Sequence, residues 1–155
     1  MLSRVNNKKG FVAIWELIIC STLIVFFMFF PAVNFSLNYK KALLEDTKAI
    51  ALHYAAVNGG VTMTVKNMIN TELQLKGFDI SKVIIESNTD DTNIKYKTDP
   101  DPMIYIKIKY PADDDVKLYK GLLKIIGYGL TELPYQGYTR WYYQVEGYIM
   151  SEKVQ

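Results

Sequence analysis

The sequence predicts an α+β protein: a long N-terminal helix, apolar in its first half, runs into a small head where a second helix packs with a three- to four-stranded antiparallel sheet. Three observations predict it. The stretch Phe11 to Leu37 (FVAIWELIICSTLIVFFMFFPAVNFSL) is apolar and carries one acidic residue, Glu16. The following stretch keeps a helical spacing as far as Asn58 with no Gly or Pro after Val33. From Lys82 onward the apolar residues recur at a period of two, the signature of strands.

The first element is expected to span a membrane. Leu17 to Val33 contains no charged residue, and with Phe11 to Trp15 it is long enough to cross a hydrocarbon core. Only a helix satisfies its own backbone hydrogen bonds in one such segment, with Pro31 tolerated as a kink near the far end. Glu16 is the anomaly, since a carboxylate in hydrocarbon is costly unless it finds a partner. Arg4, Lys8 and Lys9 precede the span without an acidic residue among them, which places that end in the cytoplasm and the C-terminal part outside. A cleaved secretory signal fits poorly, because Glu16 interrupts the start and no small-x-small site follows Val33. A lipoprotein signal at Cys20 fits less well, because bulky Ile19 precedes the cysteine and the apolar run comes after it. The expected organisation is therefore a basic leader over 1–10, a transmembrane helix over 11–37 and an extracytoplasmic head over 38–155, of which 38–58 continue the helix. Cys20, the only cysteine of the 155 residues, cannot form an intrachain disulfide, so the head must hold by packing.

Leu43, Leu44, Thr47, Ile50, Ala51, Tyr54 and Val57 recur at three- and four-residue steps and are read as the buried face of the continuation. The result is one helix from Phe11 to Val57, roughly 70 Å long at 1.5 Å per residue. Asn58-Gly59-Gly60 closes it, glycine taking the left-handed conformation that ends a helix. A second helix is predicted over Thr62 to Lys76, with Val61, Val65, Met68, Ile69, Leu73 and Leu75 inward and Gly77 as the stop. Lys82 to Ser87 reads as a strand, Asn88 to Asp91 as a turn, Asn93 to Lys97 as a weaker extended piece, and Met103 to Tyr110 as the clearest strand. Pro111 to Asp115 is a loop. Val116 to Ile126 is compatible with a short helix or an irregular excursion. Arg140 to Ser151 is the last strand, long enough to pair with Met103 to Tyr110.

Composition excludes several function classes. After Gly10 the formal charge is −1, against a nucleic-acid surface. No Gly-rich phosphate loop or G-x-S-x-G occurs, and one His with one Cys assembles no usual nucleophile and base outside the membrane, so the chain does not read as an enzyme and implies no cofactor. His53 has no Cys, Asp or Glu at a metal-binding offset on its helix, which makes it a packing or surface residue and leaves no metal site. Asp90, Asp91, Asp99, Asp101 and Asp113 to Asp115 are read as solvated turns; a calcium site is the sharper alternative, but the glycine-centred EF-hand spacing is missing. The 12 tyrosines, dense from Tyr135 to Tyr148, suit sheet packing first and surface contacts second.

Lys8-Lys9-Gly10, then an apolar span with one early Glu, then an amphipathic extension and a small sheet, resembles the type IV pilin-like proteins. Within that class the match is to the TadE-like group of tight-adherence pilus systems, whose Tyr-Ala-Ala stretch is similar to Ala49-Ile50-Ala51-Leu52-His53-Tyr54-Ala55-Ala56-Val57-Asn58-Gly59-Gly60. A terminal strand ending near a Glu, here Glu146 to Glu152, is also shared. The motifs lie in about 50 N-terminal residues. The resemblance implies a structural subunit in a pilus or in a secretion or conjugation apparatus, cut by prepilin peptidase between Gly10 and Phe11 and met by an assembly platform. It also implies that Glu16 neutralises the amine then exposed on Phe11 of a neighbouring subunit. Glu16 is the sixth residue after Gly10, where the family's acid is usually the fifth, a turn of about 100° around the helix. The rival expectation is a single-span membrane protein that does not polymerise and displays a binding head.

Overall fold

In the computed structural model, which describes residues 3–113, 130–135 and 138–154, the backbone from Ser3 to Asn58 forms one helix, α1 (Ser3–Asn58). It begins before the expected Phe11, so the peptide bond between Gly10 and Phe11 is itself helical. Pro31 is carried inside it. Two compact units share this helix, Met1–Asn38 and Tyr39–Gln155.

The helix ends where glycine permits it. Gly59 adopts φ +78°, and the Gly60 N–H donates to the Ala55 carbonyl at 2.9 Å, the six-to-one bond of a left-handed helix cap. The next turns repeat the device. Helix α2 (Met63–Leu75) is followed by Gly77 at φ +83°, the Phe78 N–H donates to the Leu73 carbonyl at 2.9 Å, and Phe78 and Leu73 are both buried. The expected limits of α2, Thr62 and Lys76, are its two caps. Its N-terminus is held from outside the helix: the Asp91 carboxylate accepts from the Met63 N–H at 3.0 and 3.1 Å, which suits the positive end of a helix.

A 3₁₀ turn over Ile80–Lys82 leads into a four-stranded antiparallel sheet of β1 (Ile84–Ser87), β2 (Met103–Pro111), β3 (Leu130–Tyr135) and β4 (Tyr138–Met150), in the order β1-β2-β4-β3. Lys82 belongs to the turn and not to the first strand as expected. The central pair is in register Ile104↔Ile149, Ile106↔Gly147, Ile108↔Val145, so these residues share the inner face, while Tyr105↔Tyr148 and Lys107↔Glu146 share the outer one. β1 pairs with β2 only from Ile84 to Ser87. Beyond it the Asn88 side chain takes the place of a strand, accepting from the Tyr105 N–H at 2.8 Å and donating to the Met103 carbonyl at 3.0 Å. That occupies backbone groups which an exposed edge would offer to another chain.

Two strand expectations change. Asn93 to Lys97 is not a strand; its amides donate singly to other segments, Lys95 to the Gly59 carbonyl at 2.7 Å and Lys97 to the Lys153 carbonyl at 2.9 Å. β3 was not expected; it lies at the sheet edge, the position in a sheet that tolerates its Pro134. Val116 to Ile126, and Asp114 and Asp115 of the expected loop, lie outside the described residues; Pro111 ends β2.

The core is built from Leu44, Thr47, Ala51, Ala55 and Ala56 of α1, Val65, Ile69 and Leu73 of α2, and Ile104, Ile106, Ile108, Tyr143 and Val145 of the sheet. Close approach explains the alanines. A Cβ on Gly147 would lie 2.8 Å from Leu52 Cδ1, so β4 passes close against α1 and a side chain there would have to displace Leu52. The buried stripe is narrower than the apolar face expected for α1, for Tyr54 and Val57 are exposed, as is Leu75 of α2. Leu75 lies two residues past Leu73 and so points away from the row formed by Val65, Ile69 and Leu73.

Thr47 is buried without cost because its hydroxyl donates to the Leu43 carbonyl at 3.0 Å and accepts from Lys76 Nζ at 2.9 Å. Lys76 also reaches Asp46 at 2.6 Å, tying α2 to α1.

The two capping glycines separate strain from space. A Cβ on Gly77 meets nothing within 4 Å, whereas one on Gly59 would lie 2.5 Å from the Lys95 carbonyl, 2.7 Å from Ile94 Cγ2 and 2.8 Å from Lys153 Cδ. Gly77→Ala should cost about 1–2 kcal/mol, the left-handed penalty alone. Gly59→Ala should add about 1–3 kcal/mol of overpacking to that penalty. Denaturant titration of the two variants checks the order; equal losses would show that the crowding at Gly59 relaxes away.

Candidate functional site

Every residue of α1 from Phe11 to Phe29 is exposed, including Leu17 at 71% and Met28 at 73%. This helix is long and apolar enough to cross a membrane, and none of its most apolar stretch is buried within the chain. An uncovered apolar surface of this extent is far beyond that of an ordinary soluble monomer. The few polar groups are dealt with locally. Ser21 Oγ and Thr22 Oγ1 both donate to the Ile18 carbonyl, at 2.9 and 2.8 Å, so neither hydroxyl proton needs an outside acceptor. Aromatic rings pack along the surface, Phe11 on Trp15 edge to face and Phe26 on Phe30 stacked, with centroids 6.0 and 5.9 Å apart.

Glu16 is the exception, an exposed carboxylate with no cation between Phe11 and Tyr39 in the sequence. Gly10, Phe11 and Glu16 lie on one helix, yet the fold does not bring them together. Five residues separate Phe11 from Glu16, about 7.5 Å along the axis and about 140° around it, so the Phe11 nitrogen and the Glu16 carboxylate of one chain do not face each other. This stretch itself holds no cation for Glu16.

In the second unit the loop acids take separate partners. Asp90 accepts from the Thr92 hydroxyl at 2.7 Å and the Thr92 and Asn93 amides at 2.8 Å, and these bonds hold its carboxyl below the usual range. Asp91 caps α2, Asp99 accepts from the Tyr96 N–H at 2.7 Å, and Asp101 pairs with Lys95 at 2.6 Å. Among the described residues no three His, Cys, Asp or Glu side chains converge as a metal site. His53 is exposed on α1, its ring 6.3 Å from that of Tyr54.

The strand register assembles a polar group that spacing alone did not reveal. On the outer face of the sheet the Tyr105 ring lies 4.8 Å from that of Tyr148, its hydroxyl donates to Glu146 Oε2 at 2.9 Å, and Lys107 Nζ stands 3.5 Å from the same oxygen. The signal lay in the alternation of the two strands, but only their register sets Tyr105 and Lys107 of β2 against Tyr148 and Glu146 of β4. Desolvation, then the Glu146 hydrogen bond, pushes the Tyr105 phenol up to about 12, while that hydrogen bond and then Lys107 hold Glu146 below its ordinary value.

The signs define a window. Folding favours the neutral phenol, so its contribution is present below the ordinary tyrosine value of about 10 and lost as pH rises through about 12. It favours the ionised Glu146, so that contribution is present above the ordinary carboxylate value and lost as pH falls through the lowered one. Tyr105→Phe should move the Glu146 titration up towards the ordinary value, read from its carboxyl carbon by NMR. An unmoved titration would mean that Lys107 alone sets it.

Comparison with known proteins finds no similarity to this chain in any family model, curated protein or solved structure.

Proposed function

We propose that the chain is a structural, non-enzymatic subunit of the pilin-like kind, a minor pilin or pseudopilin of a surface pilus or a secretion or conjugation apparatus. In this reading residues 11–37 lie in the cell membrane as a single span, with the N-terminus cytoplasmic and the head outside. Its partners are lipid, neighbouring subunits, prepilin peptidase and an assembly platform. The observation that carries the reading is the wholly uncovered apolar surface from Phe11 to Phe29 with one carboxylate near its start. Lipid covers the apolar surface but not the charge. A second helix that brings a cation covers both.

The chemistry follows from that pairing. Prepilin peptidase hydrolyses the Gly10–Phe11 peptide and leaves an ammonium on Phe11. In hydrocarbon an isolated carboxylate costs about 2.5–3.5 kcal/mol even by insertion measurements, and less near the interface. Ammonium and carboxylate on adjacent helices offset much of this, and because Glu16 lies about 7.5 Å further along the axis than Phe11, the pairing sets neighbours at a defined axial offset. Such an offset is what turns a membrane-bound pool into a filament.

Glu16→Gln should leave insertion and the folded head intact and lower assembled material several-fold, measured by shear release or by crosslinking of cysteines placed along residues 17–33. A bulky residue at Gly10 should block processing. Mass spectrometry of assembled protein reads the cleavage directly, and an intact chain beginning at Met1 would sink the ammonium pairing. Crosslinks confined to monomers throughout the scan would favour an anchored protein that does not polymerise.

A further inference from the structure

We infer that subunits meet a second time, outside the membrane, along a seam on the part of α1 that belongs to the head, with neighbours displaced by one heptad. The inference rests on the proposed helix-mediated assembly and names a further contact within it. A surface helix normally turns charged residues to solvent opposite its buried stripe. Here the residues of α1 most exposed between Tyr39 and Asn58 are Tyr39, Ala42, Asp46, Ala49, His53, Tyr54 and Val57, only one of them an acid or base of full charge. The Lys and Glu residues, Lys40, Lys41, Glu45 and Lys48, lie half-buried at its flanks.

The uncovered side has coiled-coil spacing. Tyr39, Leu43, Asp46, Ile50, His53 and Val57 follow one another at alternating steps of four and three, so one layer of the repeat is Leu43, Ile50 and Val57 and the other is Tyr39, Asp46 and His53. Leu43 and Ile50 are half-buried, Tyr39 is 56% exposed and Val57 54%. This is the part of the expected apolar face that the sheet and α2 leave uncovered.

Charge selects the occupant and the offset. Two copies in direct register set Asp46 against Asp46 and His53 against His53. Displaced by seven residues, about 10.5 Å, Asp46 of one copy meets His53 of the next, Leu43 meets Ile50 and Ile50 meets Val57. This is about 3 Å more than the five-residue offset of Glu16 against Phe11 and in the same direction, a difference the length of the glutamate side chain spans. Polar residues in such a seam characteristically fix register. Around Asp46 the other charges are Lys76, bonded to Oδ2 at 2.6 Å, and Glu72, 3.9 Å from Lys76 Nζ; the Asp46 side chain still stands 62% exposed and can accept from an imidazole N–H in either protonation state of His53. The Tyr54 ring lies beside that of His53.

The test uses the full chain in membranes with Cys20 replaced by Ser and two tagged versions co-expressed. Leu43→Cys with Ile50→Cys, and Ile50→Cys with Val57→Cys, should give mixed disulfides several-fold above the Ile50→Cys self-link. His53→Asp should abolish that preference, and adding Asp46→His should restore it, with circular dichroism verifying the head. A dominant self-link at position 50, or failure of the swap to restore the mixed links, overturns the displaced seam. Absence of head links while cysteines along 17–33 still crosslink overturns the seam and leaves the membrane assembly standing. Absence of links in both regions overturns the two together.

Discussion

The left-handed turn at Gly59 is the constraint on which the head depends. Three segments distant in sequence take up the backbone groups that the end of α1 leaves open: the Ala56 carbonyl accepts from Glu152, the Gly59 carbonyl from Lys95, and the Val61 N–H donates to Thr89 Oγ1. Ser151 then closes the circle by donating to the Lys95 carbonyl at 2.7 Å. The buried polar residues Thr89 and Ser151 are therefore both satisfied, which is the condition for burying them at all. A Cβ at Gly59 would collide with two of these segments, so the tightness of the junction and the identity of the residue follow from one another.

Packing of α1 under the sheet is set by small residues. Ala51, Ala55 and Ala56 are fully buried and Gly147 faces Leu52, so the helix and β4 approach closely along a narrow stripe. A narrow contact gives dispersion and complementarity at the cost of area. It leaves one side of the helix outside the core, and on that side the residues are mainly alanine, aromatic and aliphatic. Apolar surface remains uncovered along both compact units of the chain, for different reasons. In the first unit Phe11 to Phe29 are all exposed, and in the second, among the described residues, the sheet and α2 reach only one side of α1.

Much of the architecture was readable from local signals. The two glycine stops, the span of α2 and the pairing of β2 with β4 follow from backbone permissiveness and periodicity, which act within a few residues. The failures share a cause. Tyr54, Val57 and Leu75 have the character of core residues, but whether an apolar side chain is buried depends on which partner arrives and from what direction. β3 carries Pro134, which an edge strand tolerates and a central one does not, and position in a sheet is not a local property.

The same division holds for the candidate site. The sequence by itself determined that residues 11–37 are helical and apolar with one acid, because hydrophobicity and the lack of cations are properties of composition. It also determined that Gly10, Phe11 and Glu16 lie close in the chain. Tertiary structure decided that the apolar surface has no cover, that Tyr105, Lys107 and Glu146 converge, and that Asp91 caps α2 from 28 residues away. The physical reason is that burial, register and long-range hydrogen bonds are relations between segments, and only the packed chain specifies which segments meet.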